Sequence, residues 1–426
     1  MSLSRRRLLR TAGAALAGGG LGALAGCSSS CPDESTPDPP ARVGVHGSKL
    51  VPTQTAPTGS WPLERATPGN TGYSERGLSA GDLTVRVRTE LDLPPTDEGR
   101  LSASSPTVSD GTAYVADRRS VHAVSLATGD GTWTSEPLSV TAADSVWEFE
   151  ANTVAPAVGD GRVFVGTESG VVALDAATGR RRWAATGLRS VASPIVTDGA
   201  VVALGRETVV AFAPDGTERW RRAVDRGETV AAPAVGDGVV AVPVSTGVLG
   251  LDPSTGEERW RSSRRSEGPP VVTDGTVFVG DYEGLHALDA ATGEKRWTFS
   301  RGDGRSFRSP VVTPDTIYTV EQPGEAGAAS FALERQSGEP SPRWCSYIGS
   351  GAVTGATDDL VLAVLGLGEG PDAAQSVVAF TRSLGDAPWA IEGGSSPRAW
   401  VTKPAIVDGT VVVTTRGGTL VAVGGG

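Results

Sequence analysis

Ala155-Pro156-Ala157-Val158-Gly159-Asp160-Gly161-Arg162-Val163-Phe164-Val165-Gly166, followed by Gly170-Val171-Val172-Ala173-Leu174-Asp175-Ala176-Ala177-Thr178-Gly179 and ending at Trp183, is a unit that the chain repeats. It reads as four short strands. Pro156–Val158 is the first, with proline at a strand start where its missing N–H costs nothing. Gly159-Asp160-Gly161 is a turn in which glycine supplies positive φ and aspartate bonds its own backbone. Arg162–Gly166 and Val171–Asp175 are the second and third strands. Thr178-Gly179 turns the chain into a fourth, Arg181–Ala184. The near-continuous Val, Phe and Leu of the middle strands predict sheets covered on both faces.

Further copies open at Pro106, Pro194, Pro233, Pro270 and Pro310 and close at Trp133, Trp220, Trp260, Trp297 and Trp344. A degenerate seventh keeps Ala379 and Trp389 without the opening proline. A period near 40 residues, each period holding several short strands, predicts a radial array. A lone four-stranded sheet with both faces wet is marginal, so neighbouring units must stack. An eighth unit opens at Pro404 but runs out after Thr419–Val423, where a fourth strand should follow. Leu83–Leu91 is an orphan strand pattern ahead of the first unit. Together they predict a composite blade, closed by an N-terminal strand that removes the free edges. The expected fold is therefore all-β: an eight-bladed β-propeller with four-stranded blades, or seven-bladed if the seventh unit is only a long loop.

Outside the repeats the composition changes. Arg5, Arg6, Arg7 and Arg10 precede an uncharged run of small residues and leucine that ends Leu24-Ala25-Gly26-Cys27, the order of a signal peptide. Twin Arg5-Arg6 and a weakly hydrophobic, Gly- and Ala-rich stretch point to Tat export, with an ordinary Sec peptide as the alternative. Cys27 stands where a lipoprotein carries its acylated cysteine; simple cleavage and release is the other reading. Residues 27–60, rich in Ser, Thr and Pro, read as a flexible tether, and 61–426 as the propeller. Cys31 and Cys345 leave their pairing open. The chain holds 38 Lys and Arg against 49 Asp and Glu, and only Lys49, Lys295 and Lys403 are lysines. Removing residues 1–26 takes away four arginines and no acid, so the net charge falls from −11 to −15. That balance argues against nucleic acid as a partner.

The string Ala-x-Asp-x-x-Thr-Gly-x-x-x-Trp, at Ala173–Trp183 and Ala287–Trp297, resembles the repeat of pyrroloquinoline-quinone (PQQ) propellers. Trp61-Pro62 with Gly69-Asn70-Thr71-Gly72-Tyr73 is similar to the entry segment of haloarchaeal members, and a lysine-poor acidic chain resembles proteins of salt-loving archaea. The resemblance implies the propeller. It leaves function between quinoprotein dehydrogenases and non-enzymatic scaffolds, the latter including the propeller lipoprotein of the outer-membrane β-barrel assembly machinery. The enzyme branch implies an adjacent cysteine pair, calcium ligands and an aspartate base. Cys27, Cys31 and Cys345 are nowhere adjacent, and no acid–amide calcium cluster is visible.

The reading is thus a non-catalytic lipoprotein, exported and anchored at the cell membrane, that binds a protein or envelope polymer. No cofactor is expected; PQQ with calcium is the alternative, and a polysaccharide-binding or sensor module the third. The seven repeat tryptophans, Trp133, Trp183, Trp220, Trp260, Trp297, Trp344 and Trp389, are read as inter-blade wedges. His122 and His286 hold one repeat position and read as strand residues. Connections from a fourth strand to the next blade, and from second to third strands, share the channel mouth. Candidate rim residues there are Trp147, Glu148, Glu150, Arg308, Arg398 and Trp400, with Arg189, Arg264, Arg265 and Arg305 nearby. Trp147 and Trp400 lie outside the repeat register.

Overall fold

Each quoted unit folds as one antiparallel sheet in the computed structural model, and eight such sheets follow one another along the chain. The structure describes residues 41–46, 48, 50–51, 55–93, 103–141, 153–227, 231–300, 306–308, 310–324, 327–346, 351–367, 374–382, 386–394 and 399–425, all within the unit spanning 36–426. Cys27, Arg5, Arg6, Trp147, Glu148, Glu150, Arg305 and Arg398 lie outside the described residues. Blades 1 to 6 begin at Thr107, Ala157, Ile195, Ala234, Val271 and Val311. Blade 7 runs from Gly351 to Glu392 and is a true four-stranded sheet, which removes the seven-bladed alternative. Blade 8 is composite: Ala405–Val407, Thr410–Thr414 and Thr419–Gly425 receive Leu83–Glu90 as their outer strand.

Inner strands meet between blades 1 and 2, 2 and 3, 3 and 4, 4 and 5, 6 and 7, and 8 and 1. Blades 5 and 6 share one apolar core and blades 7 and 8 another, so the ring is closed. The turn between first and second strands is tighter than the sequence reading supposed. Aspartate itself adopts the left-handed conformation, with φ of 51° at Asp160 and 68° at Gly161. Asp110, Asp237 and Asp274 do the same, giving the twisted two-residue hairpin that suits right-handed strands. We call the face bearing these turns the lower face. The outer-to-inner connections and the second-to-third hairpins form the upper face.

Blades pack through their middle strands. Phe164 and Val171 of blade 2 share one core with Val202 and Phe212 of blade 3 and Leu249 of blade 4. The repeat tryptophan locks each neighbour. Trp183 lies 5.9 Å from Phe164 and 5.8 Å from Phe212, and donates its indole N–H to Pro214 O of the next blade at 2.8 Å. Trp133, Trp220 and Trp260 reach Ala176 O, Pro253 O and Ala290 O in the same way. A Cβ on Gly179 would sit 2.5 Å from Trp133, and one on Gly338 2.5 Å from Trp297. The Thr-Gly turn of one blade is therefore the seat of the previous blade's tryptophan, which explains why the two recur together. Trp344 lies in the outer strand Pro340–Ser346 of blade 6.

Composition misleads at one place. Residues 41–51, read as tether, lie against the propeller. Ala41–Gly44 pairs parallel with Trp389–Glu392 and adds a fifth strand to blade 7. Leu50 then bridges to Val85, and Arg88 of blade 8 donates to Val45 O and Ser48 O. This strap crosses the seam between blades 7 and 8. It is hard to read from sequence because, among its described residues, Val43 and Val45 are the only apolar side chains it buries.

Candidate functional site

The ring's axis is occupied by the chain itself. After the strap, residues 61–73 enter the centre from the lower face and make one circuit of the inner strands. Val108, Val158, Val235, Val272, Val312 and Ala356, one from each of blades 1, 2, 4, 5, 6 and 7, donate backbone N–H to Trp61 O, Pro62 O, Pro68 O, Gly69 O, Thr71 O and Gly72 O at 2.7–2.9 Å. The pattern needs no particular side chain from the inner strands, only one amide per blade turned toward the axis. A Cβ on Gly69 would lie 2.1 Å from Val272 O, so glycine is what lets the segment approach so closely.

Between Pro62 and Pro68 this hub folds inward. Ala66 takes a φ of 64° and donates to Leu63 O, and three polar side chains then project along the axis. Asn70 Nδ2 donates to Pro233 O at 2.9 Å and Pro270 O at 3.2 Å, linking blades 4 and 5. Arg65 donates to Asn70 O at 2.9 Å and to Pro310 O of blade 6. Glu64 accepts from Ser193 at 2.9 Å and from Lys403 at 2.9 Å. Burial pushes the Glu64 carboxyl up, but the Lys403 ammonium, the two hydrogen bonds and Arg65 outweigh it and hold it below its ordinary value. Pro233, Pro270, Pro310, Ser193 and Lys403 all stand just ahead of inner strands. The hub thus spans the whole inner-strand length.

The upper rim differs from expectation. Arg308 is not an exposed rim residue: it is 9% exposed, and its charge acts on Glu267. The connection it sits on runs beside Asp281, to whose carbonyl Phe307 donates, which folds the arginine inward. Trp400 is half-buried with the Arg416 guanidinium 4.9 Å above its ring. The exposed aromatic among the described residues is one that the sequence reading missed, Tyr282, 57% exposed at the tip of a blade 5 hairpin. Arg264 pairs with Glu283 beside it, and Arg265 is exposed nearby. Glu267 is held above its ordinary value by burial, with Asp281 adding to the effect while Tyr282, Arg265 and Arg308 oppose it. Arg189 pairs with Glu207 at 3.6 Å on exposed loops.

His122 and His286 belong to buried relays. Asp117 contacts His122 Nε2 at 2.7 Å and Thr134 contacts its Nδ1 at 3.2 Å; Asp281, His286 and Thr298 repeat this at 2.8 and 2.9 Å in blade 5. Each aspartate also accepts two amides of its own hairpin, so the relay ties that hairpin to the outer strand. Among the described residues no group of three or more His, Cys, Asp or Glu is placed to hold a metal ion.

The family model described as outer membrane protein assembly factor BamB matches residues 77–204 and 205–361. The chain belongs to that PQQ-like propeller family. Solved structures agree on the fold. BamB from Moraxella catarrhalis aligns with a TM-score of 0.60 at 17% identity, covering 81% of this chain and 100% of its own. The quinohemoprotein alcohol dehydrogenase from Comamonas testosteroni gives 0.63 at 17% identity, covering 86% and 80%. The computationally designed Ika8 protein gives 0.60 at 13% identity, covering 78% and 98%. No curated protein matches the sequence. At these identities the neighbours speak for the fold alone.

Proposed function

We propose that this chain is a non-catalytic extracytoplasmic lipoprotein whose propeller is a rigid scaffold for a protein partner. Arg5 and Arg6 direct export, and the acylated Cys27 holds the chain at the cell membrane. The observation that carries the reading is the hub. A planar cofactor on the axis would have to displace Asn70 and Arg65, which are buried and tied to proline carbonyls of blades 4, 5 and 6. A calcium ion would need free carboxylates, and Glu64 is already held by Lys403 and Ser193. The hub residues on the axis therefore do not fit PQQ with calcium. What the upper face offers is Tyr282 among arginines and Trp400 under Arg416, the residue types that anchor protein interfaces. The protein-assembly role in the name of the matching family agrees with this use of the fold.

The test is capture. Tyr282→Ala with Trp400→Ala lowers recovery of cross-linked envelope proteins at least about tenfold, roughly 1.4 kcal/mol of binding, with the melting temperature unchanged. Undiminished capture by that folded variant overturns the rim assignment. Cys27→Ala moves the protein from the membrane fraction to the medium; retention at the membrane overturns the anchor.

A further inference from the structure

The hub's circuit has a missing step at blade 3. Val196 pairs with Val201 in the register that Val108 keeps with Ala113 in blade 1, so its N–H also turns toward the axis. No hub carbonyl meets it, because the chain has left the circuit there: Leu63 O accepts from Ala66 instead. Blade 8 lacks a hub carbonyl too, but Ile406 is fully buried, and a Cβ on Gly355 would touch both it and the Trp61 ring. Blade 3 is open. A cavity of about 530 Å³ lies over Val196, walled by Pro62, Leu63, Pro68, Val158 and Val235. Asp160, Asp198 and Asp237 line its mouth, all exposed, and no lysine or arginine lines it.

We infer that this notch on the lower face binds an extended peptide carrying an apolar side chain next to an arginine or lysine. Six blades already show how a chain segment binds here, through one carbonyl per inner strand. The peptide supplies the seventh carbonyl, to the Val196 N–H. Its apolar side chain fills the cavity between Val158 and Val235, and its cation sits among the three aspartates. Main-chain pairing gives the affinity and the pocket gives the choice of side chain, as in other strand-addition sites. The acids supply specificity and steering more than affinity. This rests on the scaffold reading above and names the chemistry of one partner, on the face opposite Tyr282.

The probe is a capped, fluorescent pentapeptide, Gly-Leu-Arg-Leu-Gly, titrated into the folded mature chain. Two control peptides replace the leucines by serine or the arginine by glutamate. The proposal expects saturable binding that is at least about tenfold tighter than either control. It also expects the Val196 amide resonance to move downfield and gain exchange protection. Asp198→Arg and Val235→Trp each remove binding, by charge and by filling the cavity, without lowering the melting temperature. Asp198 is the safer site, since its φ is not left-handed, unlike Asp160 and Asp237. No saturable binding by the folded chain, equal binding of all three peptides, or an unmoved Val196 amide overturns the proposal. Capture that survives at the upper rim in those cases shows that the notch has failed and the scaffold reading has not.

Discussion

Blades 2 to 5 and the seam between blades 7 and 8 close the same ring by different means. In the regular blades the closing device lies within the repeat, as Trp183 reaches Pro214 O and Trp220 reaches Pro253 O. At the seam no such turn is available. Trp389, 0% exposed, donates instead to Ser79 O of the entry segment at 3.0 Å. The strap, the hub through Glu64 to Lys403, and the strand Leu83–Glu90 then bind the last blade to the rest. Closure is thus vested in sequence that does not repeat. An array of units held only by neighbours would otherwise end in exposed edges.

The largest effect should come from removing that segment. A chain beginning at Leu91 lacks strap, hub and outer strand, and leaves Val421 and Val423 uncovered. It should elute as aggregate and lose the cooperative melting transition, whereas a chain beginning at Val51 should stay monomeric and melt lower. A folded monomer from Leu91 would show that the repeats close unaided.

Single substitutions sharpen the contrast. Trp389→Ala should cost about 3–5 kcal/mol in urea unfolding, the range for emptying a buried tryptophan site. Trp183→Ala removes a half-buried ring and should cost less. Asn70→Asp places a carboxylate against Pro233 O and Pro270 O, and should cost about 3 kcal/mol or more because its charge has no donor there. Equal losses at Trp389 and Trp183 would erase the distinction between seam and repeat.

The smallest effect concerns pH. Glu64 is depressed in the folded state, so its contribution is present above the unfolded value of about 4.3 and is lost as pH falls through the folded value. Glu64→Gln should flatten stability against pH below about 5, at a cost near neutrality of about 1–3 kcal/mol, since the pair is partly exposed and Lys403 loses its carboxylate. Lys403→Met in the same chain should recover part of that loss. A Glu64→Gln profile parallel to the parent's would contradict the sign.

The repeat made the blades legible, and Leu83–Leu91 made the composite eighth blade legible, because strand patterns are carried by side chains. The hub was visible only as the strings Trp61-Pro62 and Gly69–Tyr73. Its place on the axis was not, since inner strands hold it through amides that every residue but proline possesses. The strap was missed for the same reason. At the rim, loop position named Arg308 as a candidate, yet its side chain is buried and Tyr282 carries the exposed aromatic surface. Loop composition says which groups are near a face and not which way they turn.

Calorimetric titration of the folded, delipidated propeller with PQQ and calcium tests the central claim, a ring axis closed by its own chain, most directly. The account predicts no heat of binding and no rise in melting temperature. Saturable binding with a raised melting temperature would mean that the hub yields to a cofactor, and would contradict it.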